Sequence, residues 1–151
     1  MADKLGLYIH IPFCRAKCDY CDFYSLPGRE EVMDSYLKAL LAHIKETAPT
    51  AKGWQVDTVY IGGGTPSAFG RKRICAVLGE VKRRFDVTRD AEITCEANPE
   101  SADGKFLAAV RRAGVNRLSL GMQSACDNEL HAVHRLHDAA QVEEAVRLAR
   151  K

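Results

Sequence analysis

Apolar residues in this chain alternate between short runs typical of β-strands and longer runs with the spacing of amphipathic helices. The predicted strands cover residues 5–11, 56–61, 91–95 and 115–120. The predicted helices cover residues 34–46, residues 74–85, a segment around Phe106, Leu107 and Val110 that stops near Gly114, and a last segment that opens at Asp138 with Gln141 in a capping box. Four β/α units in series imply a parallel sheet with helices outside it, either open or curved toward a barrel.

The 151 residues suffice for one domain with a substantial core. A four-stranded parallel sheet that curves toward a barrel leaves an edge unpaired, which is a liability unless something covers that edge. Either a partner closes the sheet, or the chain is a piece of a longer protein. We expect the second: an α/β fold in which residues 1–151 form part of a larger domain.

Composition indicates which kinds of partner and which cellular compartment to expect. With 22 basic and 20 acidic residues the formal net charge is +2, which argues against nucleic acid or an anionic membrane as a partner. No apolar run reaches about 20 residues, so we expect no membrane span. The first four residues lead into a predicted strand rather than a signal peptide, and the six cysteines are expected to be reduced thiols in the cytoplasm.

A polar or glycine-rich stretch follows each predicted strand. The four stretches are the cysteine loop around residues 14–21, the glycine run 62–66, residues 96–99 and residues 121–124. Because ligands of parallel β/α folds sit at the carboxyl ends of the strands, these stretches are expected to converge on one rim. That convergence predicts the functional site more strongly than any one stretch does.

The spacing Cys14-x3-Cys18-x2-Cys21 places three thiolates within eight residues. Thiolates bind iron–sulfur clusters and zinc well, and three of them on a cubane cluster leave one iron open to another ligand. The alternative is a structural zinc ion with His10 or a distant group as the fourth ligand. Disulfide pairing is disfavoured because it leaves one sulfur over. Beside the sulfurs, Tyr20 and Phe23 are expected to shield a cluster from water.

Four other features at the strand ends have both a functional and a structural interpretation. The glycine run allows a ligand to lie against bare backbone, but it also suits a tight turn. A carboxylate such as Glu96 accepts from an ammonium or ribose hydroxyl, or from nearby backbone. The Gln123 amide offers a donor and an acceptor, or it is an ordinary loop residue. The Arg135 guanidinium pairs bidentately with a carboxylate, or it is solvated.

The remaining cysteines and histidines have weaker patterns. The cysteines at 75, 95 and 126 share no spacing and are expected to be buried small apolar residues. The histidines at 131, 134 and 137 lie three apart, a spacing compatible with a metal site on a helix, although a surface position is favoured.

Four ordered motifs together resemble a known family. They are Tyr8-x-His10-Ile11-Pro12-Phe13-Cys14 with its cysteine triplet, Gly62-Gly63-Gly64-Thr65-Pro66, Glu96-x-Asn98-Pro99, and Leu118-Ser119-Leu120-Gly121-x-Gln123-Ser124. The chain resembles the radical S-adenosylmethionine (SAM) superfamily and, within it, the oxygen-independent coproporphyrinogen III oxidase-like family. The resemblance implies a partial (β/α) barrel with a [4Fe–4S] cluster on Cys14, Cys18 and Cys21, whose fourth iron binds the amino and carboxylate groups of SAM.

The resemblance also implies roles for individual residues. Tyr8 and Tyr20 lie near the cluster and SAM, and Gly63, Gly64 and Thr65 contact the methionine part, with Glu96 close by. Gln123 bonds the ribose, and Arg135 pairs with the SAM carboxylate. The family chemistry begins when the reduced cluster passes an electron to the sulfonium of SAM, which breaks the C5′–S bond and forms a 5′-deoxyadenosyl radical.

Two branches of the family differ just after the cysteine triplet. True coproporphyrinogen dehydrogenases of porphyrin biosynthesis carry a further cysteine where this chain has Phe23. Cys21-Asp22-Phe23 and Arg135-Leu136-His137 resemble the heme chaperone branch, which implies a protein that binds heme and hands it to an acceptor protein. On this interpretation residues 1–151 are the N-terminal part of the radical SAM core. The dehydrogenase and a zinc-stabilised interaction module are the alternatives.

Overall fold

The computed structural model describes residues 3–151 and contains a four-stranded parallel sheet and a separate two-stranded ladder. The strands are β1 Asp3–Ile11, β2 Phe13–Cys14, β3 Leu26–Pro27, β4 Trp54–Gly63, β5 Asp86–Ala97 and β6 Arg117–Leu120. The main sheet has the order β1-β4-β5-β6, and β2 pairs with β3. The order follows the chain, as expected for β/α units added one after another, so the predicted α/β class and parallel sheet are confirmed.

Helices lie between successive strands of the main sheet, and two more follow the last strand. They are α1 Met33–Thr47, α2 Pro66–Phe69, α3 Arg71–Arg84, α4 Gly104–Ala113, α5 Asp127–Ala132 and α6 Ala139–Ala149. The predicted capping box is present, because the Asp138 side chain accepts from the Gln141 backbone N–H and the Gln141 side chain accepts in return. Helix α4 ends where predicted, at Gly114 in the left-handed conformation (φ 110°).

The hydrophobic core lies between the sheet and the helices. Alternate residues of β1 and β4, among them Ile11 and Ile61, are fully buried, as are Ile74 and Leu78 of α3. Helices α1, α3, α4 and α6 contact one another in that order along this face. Each fully buried aliphatic side chain stabilises the fold by about 1.5–3 kcal/mol, so the apolar periodicity of the sequence accounts for this packing.

The opposite face of the sheet is exposed in the part of the chain that the structure describes. Tyr8, Thr58, Glu92 and Arg117 lie there with accessible side chains. A sheet with helices along one face corresponds to the wall of a (β/α) barrel rather than to a doubly wound sheet. Within residues 3–151 the outer strands β1 and β6 each pair on one side. Over the same range, no helix has the length and hydropathy needed to cross a bilayer.

Candidate functional site

The four stretches that follow the strands converge on one cavity of about 270 Å³. We call it the strand-end cavity. Ten of the eleven residues expected at the site line it: Cys14, Cys18, Tyr20, Cys21, Gly63, Gly64, Thr65, Glu96, Gln123 and Arg135. The parallel topology places these residues together although they are spread over more than 120 positions of the sequence.

The cysteine loop is folded by its own backbone bonds. The β2–β3 ladder closes it, with Gly28 N–H donating to Cys14 O at 3.0 Å, and Cys21 N–H donates to Cys18 O at 3.0 Å. All three cysteine side chains are partly buried. Between Asp3 and Lys151, no three His, Cys, Asp or Glu side chains lie close enough together to hold a single metal ion. The assignment of the three cysteines as cluster ligands stays a prediction.

Burial dominates the electrostatics of Cys14. Desolvation raises the pKa of its thiol, and the neighbouring Cys21 and Cys18 raise it further, while hydrogen bonds from Thr65 and Ser25 lower it. A bound iron centre reverses this balance, because metal coordination deprotonates a thiol outright. Sulfur donors of this kind suit soft metal centres.

The glycine run packs tightly against the cysteine loop. Gly64 N–H donates to Ile11 O at 2.8 Å and Thr65 N–H to Phe13 O at 2.7 Å. A Cβ at position 64 would lie 2.8 Å from Phe13 O and 3.0 Å from Cys14 Sγ, so a side chain there would displace the loop. The glycines are therefore required for packing, and their contact with a ligand stays a prediction.

The carboxylate of Glu96 is held at both oxygens. Tyr60 Oη donates to Oε1 at 2.6 Å, and Gly63 N–H donates to Oε2 at 3.0 Å. The hydrogen bond to Glu96, together with burial, raises the pKa of Tyr60. Glu96 thus bonds nearby backbone, which was one of its two predicted interpretations. The contact of Tyr60 with Glu96 was not predicted from the sequence, because a tyrosine within a strand is usually interpreted as a core residue.

The eleventh expected residue, Tyr8, lies outside the cavity lining. Its ring stacks on Tyr60 with centroids 6.1 Å apart, and its hydroxyl is 3.0 Å from His10 Nδ1 on the exposed face of the sheet. The other ring nitrogen of His10 lies 3.1 Å from Tyr24 O. Both nitrogens of His10 are therefore engaged, which disfavours it as the fourth ligand of a zinc ion.

Arg135 is buried, with 9% of its surface exposed, and not solvated. Its Nη2 group donates to Asn98 Oδ1 at 2.9 Å and to Gly121 O at 2.7 Å. Its Nη1 group donates to Tyr20 Oη at 3.3 Å and to Cys18 Sγ at 3.6 Å. Its buried Nε has no hydrogen-bond partner within residues 3–151. The protons of Nη2 and Nη1 are therefore all used, and Nε is the donor that is left for a ligand carboxylate.

Gln123 lies at the rim with φ 67°, a left-handed conformation that is uncommon for a residue with a side chain. The ribose contact expected of Gln123 stays a prediction.

The expectations outside the cavity were partly correct. Cys126 is exposed rather than buried, because it lies at the N-terminus of the short helix α5. Cys95 is buried, as expected, and burial raises the pKa of its thiol to about 12. His137 is buried at 2% exposure, since its Nε2 bonds Met122 O at 3.0 Å. His134 is exposed and lies 2.8 Å from Asp19 Oδ2 of the cysteine loop.

Asn98 was part of a quoted motif but was assigned no role of its own. Its side chain lies between Thr65 and Arg135, with Nδ2 donating to Thr65 Oγ1 at 3.3 Å. Its position directly after a buried strand, two residues beyond Glu96, was the available signal.

Comparison with known proteins identifies relatives of this chain. Residues 8–151 match the radical SAM superfamily, which confirms the resemblance drawn from the motifs. The chain is 41% identical over 146 residues to heme chaperone HemW of Escherichia coli (strain K12), covering 96% of this chain and 39% of that protein. It is 40% identical over 148 residues to heme chaperone HemW of Mycobacterium tuberculosis (strain ATCC 25618 / H37Rv), covering 93% of this chain and 38% of that protein.

A solved structure has the same fold. Coproporphyrinogen III oxidase (HemN) from Escherichia coli, described as a radical SAM enzyme, superimposes with a TM-score of 0.91 at 31% identity, covering 99% of this chain and 34% of that one. The chain therefore spans less than two fifths of the length of the relatives it matches.

Proposed function

Because the chain belongs to the radical SAM superfamily, we propose that it carries a [4Fe–4S] cluster on Cys14, Cys18 and Cys21 and binds SAM in the strand-end cavity. We propose further that it is part of a heme chaperone, which binds heme and transfers it to acceptor proteins. The family implies the cluster and SAM. The single observation that supports the location is the meeting of the cysteine loop, the glycine run and Arg135 in one cavity.

The residues of the cavity fit these groups. Three partly buried sulfurs offer soft ligands and leave one corner of a cubane open. The buried Arg135 guanidinium keeps a donor at Nε, which has no partner in the described chain, and so offers a positive group to a carboxylate. When bound, the cluster and SAM supply one-electron chemistry that amino-acid side chains do not.

The side chains of this protein bind, orient and exclude water. Thr65 Oγ1 and Arg135 Nη1 donate toward Cys14 Sγ and Cys18 Sγ at 3.4 Å and 3.6 Å. Tyr20 and Phe23 line the cavity with exposed rings, which places apolar surface where it would limit the access of water to the cysteine loop. All six cysteines are unpaired, which supports the expected reducing, cytoplasmic compartment.

Two features favour heme transfer to an acceptor protein over porphyrinogen oxidation. Phe23 occupies the position at which the dehydrogenase branch carries a further cysteine. The two curated relatives described above, at 40–41% identity, are both named heme chaperones. The coproporphyrinogen dehydrogenase is the second candidate, since a coproporphyrinogen III oxidase shares the fold at 31% identity.

Metal analysis of anaerobically reconstituted protein tests the cluster. We expect about four iron and four sulfide per chain, and SAM binding that depends on the cluster. Cys18→Ser should abolish the cluster, whereas Cys75→Ser, outside the cavity, should retain it. If the analysis found one zinc ion per chain and no sulfide, the cluster proposal would be wrong and the zinc-stabilised interaction module would take its place.

Titration with heme then separates the two branches. Tight heme uptake, with heme passed on to an apo-hemoprotein and no oxidation of coproporphyrinogen III, is expected of a chaperone. Oxidation of coproporphyrinogen III without stable heme uptake would assign the chain to the dehydrogenase branch.

A further inference from the structure

We propose that Asn98 is a positioning residue that couples the two sulfur-facing donors of the site, Thr65 and Arg135. This inference rests on the proposed function, because it concerns the hydrogen bonds made to the predicted cluster ligands Cys14 and Cys18. Among residues 3–151, the side chain of Asn98 is the one group that bonds both donors.

The orientation of the Asn98 amide follows from its neighbours. Arg135 has donors and no acceptor, so the amide oxygen must face it, and Nη2 donates to Oδ1 at 2.9 Å. The amide nitrogen therefore faces Thr65, and it donates to Oγ1 at 3.3 Å. An amide is needed at this position because a carboxylate lacks the donor and an aliphatic group lacks both.

The hydrogen bonds of Asn98 continue, through Thr65 and Arg135, to the two cysteine sulfurs. Since Thr65 Oγ1 accepts from Asn98, its single proton is free to point at Cys14 Sγ, 3.4 Å away. At the other end Arg135 Nη1 donates to Cys18 Sγ at 3.6 Å. One continuous set of hydrogen bonds thus joins Cys14 to Cys18, and both ends present a proton to sulfur. The bonds from Arg135 through Asn98 and Thr65 to Cys14 are aligned head to tail, and hydrogen bonds in such a series polarise and strengthen one another.

Close packing fixes this arrangement. Thr65 and Arg135 are 4% and 9% exposed. A Cβ on Gly121 would lie 2.8 Å from Asn98 Oδ1 and 3.2 Å from Arg135 Nη2, so the absence of a side chain at Gly121 leaves the room that the pair occupies.

The backbone of Asn98 holds the local turn independently of the side chain. Its N–H donates to Ser67 Oγ at 3.1 Å, and its carbonyl oxygen accepts from Ser101 N and Ala102 N at 3.0 Å each. Replacement of the side chain is therefore expected to leave the turn intact and to act on Thr65 and Arg135.

Hydrogen bonds to cysteine sulfur are among the factors that set the reduction potential of an iron–sulfur cluster. A donor stabilises the more negative, reduced state, so loss of the coupling should lower the potential. Loss of an acceptor for Arg135 should also loosen the guanidinium and weaken SAM binding, by about threefold to tenfold if an effect the size of one typical hydrogen bond reaches the ligand.

The test uses reconstituted protein and measures the midpoint potential of the cluster by redox titration, SAM affinity by calorimetry, and thermal unfolding. Asn98→Leu should lower the potential and weaken SAM binding. Asn98→Asp, which keeps the acceptor for Arg135, should also lower the potential but retain more SAM affinity. The matched control is Asn116→Leu, since Asn116 also bonds through both amide atoms, to Ile93 N and Ala91 O, away from the cavity.

A double-mutant cycle tests the coupling itself. The shift in potential caused by Asn98→Leu should shrink in a Thr65→Val background. Additive shifts, or an Asn98→Leu protein with the potential and SAM affinity of the wild type, would overturn the role of Asn98 and leave the proposed function standing. A wild-type chain that takes up neither cluster nor SAM would overturn both.

Discussion

The helix-covered face of the sheet and the strand-end cavity are built on different principles. The face is dry and aliphatic, with Ile74, Val77 and Leu78 of α3 fully buried, and its stability is the sum of many similar contacts. The cavity is polar and partly open, and side chains such as Glu96 and Arg135 are held there by individual hydrogen bonds. A substitution on the face should therefore change stability and spare the chemistry of the cavity, whereas one in the cavity should do the opposite.

Leu78→Ala should disrupt the packing of the helix-covered face and have the largest effect on stability. Removal of a fully buried leucine from α3 leaves a void and is expected to lower the free energy of unfolding by about 2–5 kcal/mol. Urea denaturation measures the loss. The matched control is Ala76→Gly at an exposed position of the same helix, expected to cost about 1 kcal/mol. A Leu78→Ala loss no larger than that of the control would mean that the face is not the main source of stability.

Arg135→Ala should break the cavity. It removes the positive group and the bonds to Asn98, Gly121 and Cys18, and SAM binding should weaken by about 1.5–3 kcal/mol. Calorimetry on reconstituted protein measures the change, with exposed Arg89→Ala as the control. Unchanged affinity would remove Arg135 from the SAM site.

Asp138→Ala tests a position between the two regions, at the start of α6 and three residues after Arg135. Loss of the capping box should lower the free energy of unfolding by about 0.5–2 kcal/mol, while Asp138→Asn, which caps equally well, should have little effect. SAM affinity should be the same in all three proteins. If Asp138→Ala also lost SAM affinity, the start of α6 would be shown to position Arg135.

The helix-covered face could be predicted well from the sequence, because the signals that specify it come from residues close together in the chain. Apolar periodicity located the four main strands and helices, and the capping box at Asp138 and the stop at Gly114 follow from residues three or four positions apart. Element bounds were less accurate: β5 begins at Asp86 rather than Ala91, since its first residues pair with β4 through the backbone without an apolar pattern. Helix α5 has only six residues, too few to show a period.

The cavity was predicted in part. The strand-end rule predicted nine of the eleven expected residues, because parallel topology alone brings those ends together. The tenth residue of the cavity, Arg135, was expected from the family resemblance. The pairing of Asn98 with Arg135 joins positions 37 residues apart, and no local pattern records it. The burial of His137 depends likewise on Met122 O, a backbone acceptor that composition does not reveal.

Tyr60→Phe addresses the boundary between the two regions, because Tyr60 belongs to β4 while its hydroxyl donates to Glu96 at the cavity. Loss of one hydrogen bond should lower the free energy of unfolding by about 0.5–1.5 kcal/mol at pH 7. The exposed Tyr24→Phe should change it by less than about 0.5 kcal/mol.

The effect of Tyr60→Phe should depend on pH. The hydrogen bond to Glu96 raises the pKa of Tyr60 in the folded state. The stability that the Tyr60 hydroxyl contributes is therefore complete below the unfolded pKa, about 10, and is lost as the pH rises through the folded value. Urea denaturation of both proteins should therefore show a gap that is constant near neutrality and narrows above about pH 10. A gap that persists unchanged at high pH would mean that the Tyr60 hydroxyl does not stabilise the fold through its hydrogen bond to Glu96.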